Sequence, residues 1–355
     1  MRSAKDFFKP LALGAPEPLR SIPILPSRMI HFFDPSNPKM ASRLPDLARQ
    51  CDVVLGNLED GCPAERKIEA REGFIKLVRD TDFAGAQVWT RVNCLDSPWG
   101  LDDFIRLIGE IGDKIDVIMV PKVNGVFDIH YVDQLMAQLE AKAGLKKPIL
   151  INVILESHKG FANVEAICGA SPRLQGLSLG PADLAAARGM KTTRVGGPHP
   201  DYVVRSDADP NNPNAPRTTY QQDVWHYSLS RMIDACTAEG ILPYYGPFGD
   251  IEDTVGCEDQ FRNAYLLGCV GGWTLHPNQI DIARRVFTPR AKEVLWAKRV
   301  LAVMAEGGAI MVDGKMQDEA TLKQCEVVLN LAKLLAKREP ELCKAYEFTE
   351  ADLSD

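Results

Sequence analysis

Residues 150–160 read LINVILESHKG. Leu150, Ile151, Val153, Ile154 and Leu155 form an unbroken apolar run rich in β-branched side chains, the pattern of a buried strand. Glu156 follows directly, and Ser157, His158, Lys159 and Gly160 turn the chain. A carboxylate where a buried strand meets a loop costs free energy unless a cation or a donor sits beside it. What stands beside Glu156 is therefore the central question of the sequence.

Working outward, similar runs occupy residues 29–33, 53–58, 88–93, 117–120, 149–155, 174–179, 241–245 and 270–275. Segments with helical periodicity alternate with them at 40–50, 64–80, 101–112, 129–143, 160–168, 221–239, 252–267 and 279–287. Strands alternating with helices imply parallel pairing through right-handed crossovers. Eight such units predict an α/β fold, a closed (β/α)8 TIM barrel over residues 1–288. An open doubly wound sheet finds no support, because no G-x-G-x-x-G follows the first strand. After residue 288 the rhythm stops. Helical patterns at 289–305 and 319–338 flank GGAIMVDGKMQD, which reads as a short hairpin or loop, so 289–355 is expected to form a small α-rich appendage. Residues 189–217 carry Pro, Gly, Asn and Asp without a period and read as a lid or a subunit-contact loop.

Bulk properties narrow the functional classes. Of 355 residues, 45% are hydrophobic and 25% charged, and the net charge is 41 − 48 = −7. That balance argues against nucleic acid or an anionic membrane as the main partner. No run of about 18 apolar residues suggests a span, and the start reads as an ordinary arm rather than a signal peptide. Nine cysteines with no C-x-x-C pair point to reduced thiols and a cytoplasmic location.

In a (β/α)8 enzyme the chemistry sits at the C-terminal strand ends. Those ends are Leu58-Glu59-Asp60, Arg91-Val92-Asn93, Pro121-Lys122, Glu156-Ser157, Gly180-Pro181-Ala182-Asp183 and Leu275-His276-Pro277. Glu156 and Asp183 end adjacent strands, and two carboxylates completed by water and substrate oxygens suit Mg2+. The competing reading makes Glu156 a helix cap or the ion-pair partner of Arg91 or Lys122. Arg91, on an otherwise apolar strand, needs an anion: a substrate carboxylate or enolate oxygen, or Glu59 or Asp60. Glu59 and Asp60 could equally orient Arg91 or metal-bound water. Lys122 raises a Schiff-base alternative. His276 reads as a base or as a hydrogen-bonded strand end. No histidine pair has metal-ligand spacing.

These strand ends carry a resemblance. LGNLEDGCP, WTRVN, VIMVPKV, LINVILES, LSLGPADLAAARGMKTTRVGG, YYGPFGDI and WTLHPNQI, in that order over residues 23–318, resemble the malyl-CoA lyases of the citrate lyase β-subunit-like (HpcH/HpaI aldolase) family. The resemblance implies Mg2+, with Mn2+ as a substitute, at Glu156 and Asp183. It implies contacts of Arg91 with acid or enolate oxygens, and substrate roles for Ala182, Leu275 and His276. It places the coenzyme A end near FFDPSNPKMASR, with Phe32, Phe33, Lys39 and Arg43 as contacts. There Pro38 stands where the family's arginine is expected, and Lys39 and Arg43 also read as a solvated helix face. Within DGKMQD it implies that Asp318 serves a neighbouring subunit as acid and base, with Asp313 as competitor. From the residues alone, both are loop acids that could cap a helix. The implied reaction is reversible cleavage of malyl-CoA or β-methylmalyl-CoA to glyoxylate and acetyl-CoA or propionyl-CoA, or of citramalyl-CoA to pyruvate and acetyl-CoA. The implied assembly is a homohexamer, a dimer of trimers. A metal-dependent aldolase acting on free 2-oxo acids is the alternative on the same scaffold.

Overall fold

The computed structural model describes residues 9–304, 310–312 and 314–353. Chain contacts divide it into two compact units, residues 1–23 with 27–283 and residues 24–26 with 284–355.

The larger unit is a closed barrel of eight parallel strands. In chain order these are β1 Met29–Phe33, β2 Val53–Asn57, β3 Gln87–Arg91, β4 Val117–Val120, β5 Leu150–Leu155 and β6 Leu174–Leu179. A small antiparallel ribbon, β7 Val203–Arg205 and β8 Thr219–Gln221, precedes β9 Leu242–Tyr245 and β10 Gly271–Thr274. Around the barrel the order is β1, β10, β9, β6, β5, β4, β3, β2. Helices cover the outside, among them Lys67–Asp80, Gly100–Ile111, Val126–Ala143, His226–Ala238 and Thr254–Leu267. Among the described residues, no helix is long and apolar enough to cross a membrane.

Side chains alternate across a strand, and the barrel interior follows that alternation. Ile30, Phe32, Val53, Leu55, Trp89, Val117, Met119, Leu150, Ile154, Tyr244 and Trp273 pack together inside. The same parity carries the next inward position to the mouth: Leu55 leads to Asn57, Trp89 to Arg91, and Ile154 to Glu156. The sheet register aligns Leu55 with Trp89, Trp89 with Val117 and Val117 with Leu150. The polar mouth is thus one more rung of the apolar interior.

Several elements differ from the sequence expectation. The expected helix over 40–50 is two pieces, Pro38–Ala41 and Leu44–Gln50, because Asn37 caps the first and Pro45 restarts the second. The segment 160–168 is likewise split at Asn163. Helix Pro181–Ala187 was not expected. Pro181 occupies its first turn, where a missing amide costs nothing, although Gly-Pro in sequence looks like a turn. The aperiodic loop carries β7, β8 follows just beyond it, and the next helix starts at His226 rather than near residue 221.

The smaller unit contains helix Ala291–Val303, an antiparallel hairpin of β11 Ile310–Val312 and β12 Lys315–Gln317, and helices Glu319–Ala336, Pro340–Ala345 and Glu350–Leu353. Val294, Ala297, Val300, Leu329, Ala332 and Tyr346 form its core, and the Tyr346 hydroxyl donates to the Pro289 carbonyl at 2.7 Å.

Candidate active site at the barrel mouth

A cavity of about 430 Å³ opens at the C-terminal strand ends. Its walls include Phe32, Phe33, Asn57, Asp60, Arg91, Glu156, Ala182, Asp183, Trp273 and Leu275. The strand parity that fills the barrel places Asn57, Arg91 and Glu156 there. Asp183 arrives from the first turn of helix Pro181–Ala187.

Arg91 is buried and held on three sides. Its Nε donates to Asn57 Oδ1 at 2.7 Å and its Nη2 to the Asp60 carbonyl at 2.6 Å. Nη2 also lies 3.4 Å from Glu59 Oε2. The guanidinium stands 5.6 Å from the centre of the Phe32 ring, which packs on Trp273 at 4.4 Å. Nη1 has no protein partner among the described residues and belongs to a side chain that lines the cavity. A fixed fork with one donor nitrogen left free is preorganised for an anionic oxygen.

Lys122 crosses the mouth in the other direction. Its Nζ donates to Glu59 Oε1 at 2.6 Å and Asp60 Oδ2 at 2.9 Å. Burial works the other way, yet these two carboxylates hold the ammonium above the ordinary lysine range. A lysine held protonated is a poor amine nucleophile, so the geometry speaks against Schiff-base chemistry. Glu59 is further fixed by the Asp60 amide at 2.7 Å, and its carbonyl accepts from Lys67 Nζ at 2.9 Å.

Both mouth cations are therefore engaged by Glu59 and Asp60, which settles what does not stand beside Glu156. Among the described residues Glu156 has no ion pair within 4 Å. Nor does it cap the next helix: Ser157 does so, accepting from the Gly160 amide at 2.9 Å. Its Oε1 accepts only the Lys122 amide, at 2.8 Å. The residue is 3% exposed. Burial, with Arg91 pulling the other way and Asp183 and Glu59 pushing further, raises its carboxyl to about 8. A buried acid in that state either keeps a proton or meets a cation that none of the described residues supplies within 4 Å. The second acid, Asp183, lines the same cavity. Gly180 lies under the pair, where a Cβ would come within 2.6 Å of Glu156 Cβ and 2.8 Å of its Oε2. Two carboxylates with free oxygen lone pairs, an open cavity and no soft ligand suit a hard divalent ion of the Mg2+ type. No group of three or more His, Cys, Asp or Glu that could hold a metal occurs among the described residues, so the remaining positions would fall to water and substrate.

The other sequence candidates are distributed as follows. Phe32, Phe33, Ala182 and Leu275 line the cavity. Lys39 and Arg43 are exposed beyond β1 and are not in its wall. His276 Nδ1 accepts from the Asn278 amide at 3.3 Å, the strand-end reading of that residue. Asp318, in the smaller unit, caps helix Glu319–Ala336, accepting from the Ala320 and Thr321 amides at 3.0 and 3.2 Å. Asp313 lies outside the described residues. Sequence reasoning named Gly180 only as a strand end and missed Asn57 and Trp273. Asn57 was within reach, since it stands two residues beyond the inward Leu55.

A family model described as HpcH/HpaI aldolase/citrate lyase matches residues 28–277. The chain is 56% identical over 344 residues to a malyl-CoA/β-methylmalyl-CoA/citramalyl-CoA lyase of Chloroflexus aurantiacus, covering 97% of this chain and 98% of that protein. It is 37% identical over 319 residues to an L-malyl-CoA/β-methylmalyl-CoA lyase of Cereibacter sphaeroides, covering 88% and 97%. Among solved structures, a citrate lyase from Burkholderia xenovorans LB400 aligns with a TM-score of 0.72 at 20% identity, over 92% of this chain and 98% of that one. CitE from Mycobacterium tuberculosis, in complex with magnesium, acetoacetate and coenzyme A, aligns with a TM-score of 0.64 at 23% identity, over 88% and 98%. Those two likenesses carry the fold, a closed barrel with flanking helices. The resemblance read from the strand-end motifs holds: the chain belongs to the HpcH/HpaI aldolase/citrate lyase family.

Proposed function

We propose that this chain is a divalent-cation-dependent carbon–carbon lyase that reversibly cleaves malyl-CoA or β-methylmalyl-CoA to glyoxylate and acetyl-CoA or propionyl-CoA, and citramalyl-CoA to pyruvate and acetyl-CoA. One observation carries the reading. Glu156 is a buried mouth carboxylate with no ion pair among the described residues, while both neighbouring cations are engaged elsewhere. The two relatives named as lyases of CoA thioesters favour a thioester substrate over a free 2-oxo acid.

Glu156 and Asp183 would hold Mg2+, or Mn2+ in its place. Bound there, the ion would supply Lewis acidity to the substrate's carboxylate and hydroxyl oxygens. The chain's own residues do the rest. Arg91, locked by Asn57 and the Asp60 carbonyl, points a free N–H group at the oxygen where thioester charge grows. Glu59 and Asp60 keep that fork in place. Phe32, Phe33, Ala182 and Leu275 wall the acyl portion. Lys39 and Arg43, exposed beyond β1, meet the coenzyme phosphates, and His276 borders the same rim. Asp318 of a neighbouring copy, in a hexamer of two trimers, moves the proton at the enolate carbon. Nine free thiols suit a reducing cytoplasm.

The test is a steady-state comparison of the three thioesters and free malate, with Mg2+ and after chelation. Cleavage of thioesters only, lost on chelation and lowered about 100-fold or more in Glu156→Gln and Asp183→Asn, is the expected result. Full activity in either variant, or turnover of free malate alone, refutes the reading. The ratio among thioesters is open to one methyl group's worth of discrimination, about 1–3 kcal/mol.

A further inference from the structure

We propose that Lys122 is a positioning residue that fixes Glu156 through its main chain and Arg91 through its side chain, so that the two halves of the site are set by one turn. The inference rests on the function proposed above and deepens it.

The turn is unusual. Lys122 follows β4 and Pro121 with φ of +54°, in the left-handed region that side chains disfavour. Only Ala84 and Glu347 share that sign among the other described non-glycine residues. Glycine or asparagine would relieve the conformation, so a lysine there implies that its side chain does something they cannot. The turn aims the Lys122 amide at Glu156 Oε1, the carboxylate's one hydrogen-bond partner among the described residues. The side chain returns across the mouth to Glu59 and Asp60, and Glu59 reaches Arg91. The barrel order makes this possible: Glu156 directly follows β5, Lys122 follows β4, β3 carries Arg91 and Glu59 follows β2. Four neighbouring staves are tied through one residue.

The electrostatics give the side chain its task. Glu59 is buried beside two cations. Without the ammonium, its whole charge falls to Arg91. The guanidinium would then close into a two-pronged pair with Glu59, and the free Nη1 would turn away from the cavity. Lys122 shares that charge and leaves Arg91 one nitrogen for substrate. The same anchoring steadies the strained turn whose amide orients Glu156.

The test uses the full-length protein and Lys122→Met, with Lys122→Gly as the variant that keeps the amide and relaxes φ. Calorimetric Mg2+ titration reads the Glu156 arm. kcat and KM for malyl-CoA at saturating Mg2+ read the Arg91 arm. Lys122→Met should weaken Mg2+ binding about tenfold and lower kcat about 10- to 100-fold, with thermal midpoints reported alongside. Lys122→Gly should lose kcat in the same range but weaken Mg2+ binding less than Lys122→Met, with a midpoint no lower, because glycine holds the turn and its amide without the side chain's help. Adding Glu59→Gln to Lys122→Met should recover kcat at least about threefold, since the carboxylate that captures Arg91 is gone, and leave the Mg2+ affinity unrecovered. A merely structural lysine would show no such split. Mg2+ affinity or kcat/KM within twofold of wild type in Lys122→Met overturns the assignment, as does recovery of neither quantity in the double variant. If the wild type neither binds Mg2+ nor cleaves a thioester, the proposed function falls and this assignment with it. A wild type that does both, beside an unimpaired Lys122→Met, overturns this assignment alone.

Discussion

Adding one methyl group at Gly180 tests the carboxylate pair directly. An alanine Cβ there would lie 2.6 Å from Glu156 Cβ, 2.8 Å from Glu156 Oε2 and 2.9 Å from Ile154 Cγ2. Carbon atoms in good contact sit about 3.5–4.0 Å apart, so the Glu156 stem must retreat by about 1 Å. The stem begins directly after a buried strand, and the interior around it is close-packed, so little can give. Overpacking of this kind costs about 1–3 kcal/mol of stability. At about 2–4 °C per kcal/mol for a large domain, the midpoint should fall by several degrees. The functional cost should exceed the stability cost, because a displacement of about 1 Å at a reacting constellation can lower the rate about 100-fold. Gly109→Ala is the matched control. Its Cβ meets nothing within 4 Å on helix Gly100–Ile111, and alanine should stabilise that helix by about 0.5–1 kcal/mol. The assay pairs Mg2+ titration with kcat/KM for malyl-CoA on folded protein at 25 °C. A Gly180→Ala enzyme that is folded and keeps both values within twofold of wild type would show that Glu156 is not held where the cavity places it, and the metal argument would go with it.

Three further outcomes follow from other parts of the molecule. Asp318→Asn retains an equally good helix cap, so stability should hold within about 0.5 kcal/mol while deuterium exchange into acetyl-CoA collapses; exchange at the wild-type rate rules out the proton role. Asp318→Ala should in addition lose about 1 kcal/mol. Arg173 bridges Asp133 and Glu140 at 2.6 and 2.7 Å in the interior, so Arg173→Leu removes the guanidinium that two buried acids share and should destabilise by about 3–5 kcal/mol, read as a shifted urea midpoint; a loss under about 1 kcal/mol contradicts the network. Burial, then His276 and Arg43, lower His31 to about 4. The unfolded chain binds that proton near 6.5 and the folded one only near 4, so stability present above pH 6.5 is lost as pH falls towards 4, by up to about 3 kcal/mol. His31→Asn should flatten that slope in urea titrations at pH 7.5 and 5, and an unchanged slope refutes the assignment.

The eight strands were legible because burial on both faces writes them as apolar runs, and the parity of each run points to its mouth residue. Glu156 and Arg91 could be singled out that way, whereas Asp183, on the helix after β6, was marked only by its closeness to a strand end. Pairing could not. Four acids and two cations in the right strand ends admit several ion-pair maps, and only the geometry assigns Arg91 and Lys122 to Glu59 and Asp60 and leaves Glu156 without an ion pair among the described residues. The left-handed turn at Lys122 has no sequence mark, because the residue types that betray such turns are Gly and Asn. Helix Pro181–Ala187 was hidden by the same dipeptide that starts it. Asp318 shows the reverse ambiguity: its capping geometry is clear, and a cap and a proton carrier look alike in one chain.

The polar mouth residues sit on the last rungs of the strands, with the long 189–217 segment entering as an attachment. That separation has a use for engineering. No residue of that segment stands in the cavity wall, so it can be shortened or exchanged while Arg91 and Glu156 stay where the sheet places them. Its length and the bond-breaking residues can therefore be altered in separate campaigns.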